Sequence, residues 1–151
     1  MKGFMGSRAL RVTVLPKRLL VGYDGSKESE KALDYAVDLA KASGGTLVVQ
    51  HVLSIGPEAY EGGVVDLAGI ETALGKMLDA AAERARTAGV SATKVLSRGD
   101  VAATILREAE QRGADLIVVG GLGKGRMARL FLGSVADKLV RAAPVPVLVV
   151  R

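Results

Sequence analysis

Asp115-Leu-Ile-Val-Val119 is an apolar run that leads directly into Gly120-Gly-Leu-Gly123; nine residues later come Gly133-Ser134, and Ser134-Val-Ala-Asp-Lys-Leu-Val-Arg141 follows. The first run reads as a buried strand and the last as a short helix. A glycine-rich turn lets backbone approach a phosphate closely. A helix N-terminus supplies unpaired N–H groups and a partial positive charge. Strand, glycines and helix in this order suggest a nucleotide polyphosphate site.

Outward from this stretch the chain alternates strands and helices. Leu19–Tyr23 is an apolar strand, and Ser26–Ser43 a helix with Leu33, Ala36, Val37 and Ala40 on one face. Gly44-Gly45 closes that helix where left-handed backbone is wanted. Thr46–Val52 is a second strand, and residues 54–66 read as a surface loop. Leu67–Thr87 is a helix whose stripe is Ile70, Leu74, Met77, Leu78, Ala81 and Ala85. Ala92–Ser97 is a short third strand. Asp100 caps a third helix ending near Gly113. Strands four and five are 115–119 and Val145–Val150.

Such alternation implies right-handed βαβ units, and uninterrupted apolar strands imply burial on both faces. The expected fold is α/β: one doubly wound, Rossmann-like domain with a five-stranded parallel sheet in the order 3-2-1-4-5 and helices on both faces. Ligands then bind at the switch point, beyond the carboxyl ends of strands one and four. Tyr23-Asp24-Gly25-Ser26 and the loop 120–134 meet there.

The 151 residues suffice for one domain, and 49% of them are apolar, which argues against disorder. No apolar run reaches membrane-spanning length. With no cysteine, disulfides and thiolate chemistry are excluded; a cytoplasmic address fits. Lys2, Arg8, Arg11, Lys17 and Arg18 place five positive charges in residues 1–18, which hold no acid; the rest balances 16 basic against 16 acidic residues. Residues 1–17 therefore read as a basic extension and 18–151 as the domain. A basic tail can touch nucleic acid, but three Tyr, two Phe and no helix-turn-helix pattern argue against base readout.

The glycines fit neither a Walker A loop, since Gly120–Arg126 has arginine where lysine is needed, nor a dinucleotide fingerprint, since they follow the fourth strand. Gly120-x-x-Gly123-(nine residues)-Gly133-Ser134 instead resembles the nucleotide signature of the universal stress protein (UspA-like) family. The resemblance extends over Leu20–Leu33, His51-Val52, Arg98-Gly-Asp100, Gly113–Gly120 and Pro144–Val150. It implies the ATP-binding subgroup: a regulatory, stress-response protein that holds ATP and signals through a dimer. It also implies the contacts. Asp24 sits beside the ribose or a phosphate-bound metal, and backbone at Gly22, Tyr23 and Val52 borders the adenine. Gly120 and Gly123, with Gly121 between them, let the loop approach ribose and phosphates. Gly133, Ser134 and Val135 present N–H groups, and Ser134 its hydroxyl, to the phosphates. Tyr23 is bulkier than the residue often found there and either narrows the base pocket or stacks on the base.

Other roles compete. Asp24 could simply cap the helix after it. Lys124, Arg126 and Arg129 could screen a triphosphate or stay solvated. His51, lacking a partner ligand, reads as structural, and Asp115 as a cap at strand entry. Leu130, Phe131 and Leu132 read as packing the loop onto the core. Phosphate and Asp24 oxygens suit Mg²⁺ or Mn²⁺. Hydrolysis needs a second catalytic group that is not evident, so no catalytic residue is assigned and at most weak ATP turnover is expected. The alternative is a slow ATPase or phosphotransferase using Asp24 or an acid in loop 54–66. The last strand, with apolar side chains on both faces at a sheet edge, suggests a homodimer through Val145–Val150.

Overall fold

The structure, a computed structural model, describes residues 15–54, 56, 65–121 and 132–151. Its elements are β1 (Arg18–Gly22), α1 (Lys27–Ser43), β2 (Thr46–Leu53), α2 (Leu67–Thr87), β3 (Ser91–Arg98), α3 (Val101–Arg112), β4 (Leu116–Gly120), α4 (Ser134–Ala142) and β5 (Val147–Val150). The strands form one sheet in the order β3-β2-β1-β4-β5, every pair parallel. This is the expected doubly wound topology. Gly123, Lys124, Arg126, Arg129, Leu130 and Phe131, and most of loop 54–66, lie outside the described residues.

Period-2 alternation sorts each strand's side chains between two cores. Leu19 and Val21 of β1 and Leu116 and Val118 of β4 pack with Leu33 and Ala36 of α1 and Leu78 and Ala82 of α2. Leu20, Ile117 and Val119 pack on the other face with Ile105 of α3 and Leu139 of α4. Two covered faces explain why Leu19, Leu20 and Val21 are all buried in succession.

Two details differ from the sequence reading. Along α2 the buried positions are Leu78, Ala81, Ala82 and Ala85, whereas Ile70 is 38% exposed. At 21 residues the helix is about 31 Å long, against about 26 Å for the eight-residue β3 beside it, so its first turns overhang. β5 begins at Val147, two residues later than expected. Pro146 has no N–H to give to a ladder; it contributes only its carbonyl, which accepts from Ile117 N at 3.0 Å.

The ends of the elements are fixed locally. Ser26, Asp66 and Asp100 cap α1, α2 and α3, each side chain accepting from the N–H three residues on. Gly44 and Gly113 terminate α1 and α3 in left-handed backbone, with φ of 69° and 63°. Asp115 accepts from the backbone N–H groups of Lys17 and Arg18 at 3.0–3.1 Å, so it secures the entry to β1 rather than to its own strand.

Candidate functional site

The turn after β1 is built to hold its backbone open. Asp24 Oδ1 accepts from Ser26 N at 2.9 Å, and Gly25 takes φ of 80°, which only glycine enters freely. Ser26 then caps α1, and Asp24 N donates to Ser29 Oγ at 3.3 Å. Asp24 therefore braces the capping residue and does not cap the helix itself. Burial raises its pKa, but hydrogen bonds from Ser26 and Ser29 and the nearby His51 outweigh this, and the carboxyl is held below its usual range.

The loop after β4 has clasped stems. Gly121 N donates to Val150 O, and Gly133 N donates to Gly121 O, both at 2.9 Å. Both glycines of the first stem are required by packing. A Cβ on Gly120 would lie 2.7 Å from Glu28 Cβ, and one on Gly121 would lie 2.1 Å from Val149 Cγ1. α4 starts at the second stem. Its N-cap, Gly133, offers no side chain to the first turn, so among the described residues no side-chain cap competes with an anion for the N–H groups there.

Between these segments lies a cleft of about 340 Å³ at the carboxyl ends of β1, β2 and β4, a size suited to a small ligand. Of the residues expected from sequence, Gly22, Tyr23, Asp24, Val52, Gly120, Gly133, Ser134 and Val135 line it. Gly121 is buried against Val149 and is not part of the wall. Gly123 and Lys124 lie outside the described residues.

Ser26, in the segment expected at the switch point, lines the cleft too, and the cleft also holds residues that the sequence reading left out: Glu28, Ser29, Gln50, Val101, Ile105, Val119 and Ala136. Val101 and Ile105 arrive with the first turns of α3, a placement that needs the third dimension. Gln50 had a signal, being the one amide in β2 and standing directly after the apolar run Leu47–Val49. It is 1% exposed. Its Nε2 donates to Ser97 Oγ on β3 at 3.1 Å, and its Oε1 has no partner among the described residues. An unpaired buried carbonyl costs about 1–3 kcal/mol.

Tyr23 contributes main chain to the cleft and not a stacking ring. Its side chain belongs to the α1–α2 core, and its hydroxyl donates to Glu30, which also pairs with Arg84. Burial, reinforced by Glu30, pushes the Tyr23 pKa up to about 12. Tyr23 N donates to Gln50 O at 2.8 Å. His51 also lines the cleft, and its Nδ1 lies 2.9 Å from Tyr23 O. A carbonyl only accepts, so Nδ1 carries the proton.

The electrostatics are lopsided. Asp24 and Glu28 face the cleft, and no Lys or Arg is among its described lining residues. Among the described residues no three carboxylate or imidazole groups are placed to hold a metal. Among the described residues the α4 N-terminus is the part of the cleft suited to an anion.

A doubly wound sheet with a switch-point cleft between a β1 carboxylate turn and a glycine-clasped helix N-terminus defines the class of α/β domain that takes its ligands beyond the carboxyl ends of the strands. The profile of the universal stress protein family matches residues 16–151, and the chain belongs to that family. A universal stress protein from Thermus aquaticus is 40% identical over 144 residues, covering 89% of this chain and 98% of its own. A universal stress protein solved in complex with cAMP superposes with a TM-score of 0.69 at 28% identity, covering 91% of this chain and 98% of that one. The universal stress protein from Archaeoglobus fulgidus in complex with dAMP gives 0.68 at 25% identity, covering 91% and 100%. Among the described residues no helix is long and apolar enough to cross a membrane.

Proposed function

We propose that this chain is an ATP-binding regulatory protein of the stress response that holds the nucleotide at the switch point. The observation that carries this reading is the α4 N-terminus. Its first-turn N–H groups have no side-chain cap, and they open into a cleft that also presents Asp24 and the clasped glycines. That family members have been solved with cAMP and dAMP supports an adenine nucleotide. In this reading Gly22, Tyr23 and Val52 border the base, Asp24 faces the ribose, and Ser134 and Val135 meet the phosphates, with Gly123 and Lys124 completing the loop.

Two carboxylates beside a triphosphate repel it unless a cation intervenes. A hard divalent ion such as Mg²⁺ or Mn²⁺ fits, held by phosphate oxygens and Asp24, because Asp24 is ionised at neutral pH. A carboxyl held below its usual range is also a weak general base. This favours binding over turnover and disfavours the slow-ATPase alternative.

Calorimetric titration of ATP tests the reading. Gly123→Val should abolish binding, and Ser134→Ala should weaken it by about 1 kcal/mol. Chelation of divalent ions should weaken it as well. Unchanged ATP affinity in Gly123→Val would overturn the assignment of the loop, and equal affinity with and without chelator would remove the cation.

A further inference from the structure

We propose that Gln50 reads the base of the bound nucleotide, its Oε1 accepting a hydrogen bond from the exocyclic amine of adenine; this rests on the nucleotide reading above. Gln50 lies on the same face of β2 as Val52, which packs with Leu20 and Ile105. An apolar side chain would suit these surroundings. Instead a full amide is buried there, one end anchored to Ser97 and the other, Oε1, without a partner among the described residues. Buried carbonyls are normally paired, and Gln50 belongs to the cleft wall, so its buried, unpaired oxygen calls for a donor that arrives with the ligand.

The chemistry of a nucleotide narrows which part supplies it. Phosphate oxygens accept and do not donate when ionised. They also belong at the other end of the cleft, since the α4 N-terminus follows β4 whereas Gln50 is on β2, with β1 between. The base end therefore lies nearer Gln50. Adenine carries its donor as the 6-amino group. Purine itself has only hydrogen at that position, and hypoxanthine has an oxygen that would face Oε1 acceptor to acceptor.

The test is a thermodynamic cycle between protein and ligand. ATP and purine riboside 5′-triphosphate, which lacks the amine, are titrated into the full chain and into Gln50→Leu. The wild-type preference for ATP should exceed that of Gln50→Leu by roughly tenfold, the weight of one hydrogen bond made in a buried site. Gln50→Leu should bind the amine-free nucleotide at least as well as wild type does. An identical ATP-to-analogue ratio in the two proteins overturns the proposal. If wild type binds none of these nucleotides, the nucleotide reading fails and this proposal with it, a result distinct from equal ratios. The melting temperature of ligand-free Gln50→Leu gives a second readout. It should fall by no more than the loss of the Nε2–Ser97 hydrogen bond explains, which Gln50→Glu, keeping an oxygen but not the amide donor, and Ser97→Ala calibrate; a larger drop would mean that Oε1 is already satisfied in the free protein and would also overturn the proposal.

Discussion

Tyr23 shows how one residue divides its work between site and core. Its backbone borders the cleft, while its ring packs beside α1 and α2 and its hydroxyl donates to Glu30. The phenol titrates near 10 in an unfolded chain and near 12 here, because burial and the Glu30 charge oppose the phenolate. A folded pKa above the unfolded one contributes stability that is complete below pH 10 and is lost as pH rises from 10 to 12. The slope is about 1.4 kcal/mol per pH unit. Tyr23→Phe should therefore lose the Glu30 hydrogen bond at neutral pH yet show a shallower alkaline fall. Denaturant titrations at pH 8, 10 and 11 should show the wild-type advantage shrinking by about 1 kcal/mol between the last two; a constant difference would mean that the phenol is not shielded. The phenol's burial was not legible in the sequence, because a strand-end residue can turn to either face and only the position of Glu30 on α1 and Arg84 on α2 decides. The glycines teach the same lesson. The sequence points Gly120 and Gly121 at a ligand and gives no sign of their close approaches to Glu28 and Val149.

Whole elements were far more legible than side-chain directions, because their ends are written in local chemistry. Ser26, Asp100 and Gly44 each act within one turn of their own position. What failed at this scale required knowledge of neighbours. The overhang at Ile70 depends on the length of β3, and the late start of β5 depends on which carbonyl β4 can reach. The α1–β2 turn allows a prediction that separates backbone strain from contact. Gly44 has φ of 69°, and a Cβ there would meet nothing nearer than Lys17 Nζ at 3.9 Å. Gly44→Ala should thus cost about 1–2 kcal/mol, the left-handed penalty alone. At Gly45 a Cβ would lie 2.6 Å from the Lys17 carbonyl oxygen, which itself accepts from Thr46 N at 2.8 Å. Relief there must displace the β1–β2 ladder, so Gly45→Ala should be the more damaging of the pair. Urea midpoints with unchanged slopes would rank them; a milder Gly45→Ala would show that the ladder yields easily.

At the scale of the molecule the sheet has two edges of different character. On β3, Lys94 pairs with Asp79 and Arg98 with Glu71, so charge guards that edge. Among the described residues β5 pairs with β4 on one side only, and Val147–Val150 carry no charge. Val147, Leu148 and Val149 are each only partly buried, and Val140 of the adjacent α4 is 50% exposed. An uncharged, unpaired edge invites another strand. We propose that a second copy supplies it, β5 against β5 about a twofold axis, which pairs the free N–H and C=O groups and covers the valines. Such a dimer would give the nucleotide a route outward, because Gly121, at the stem of the cleft loop, donates to Val150 O and packs on Val149. The rival is the chain's own N-terminus. Arg11–Leu15 is rich in β-branched residues and could cover the same edge, although all but Leu15 lie outside the described residues. Light scattering at tens of micromolar decides, on the full chain and on one lacking residues 1–14. A dimer in both supports β5 pairing, and a dimer only after shortening means that the N-terminal segment occupies the edge. A monomer in both leaves β5 without a partner strand and removes the dimer. Where a dimer forms, adding ATP and Mg²⁺ asks whether the Gly121–Val150 contact transmits occupancy, which should appear as a shift in the dimer dissociation constant.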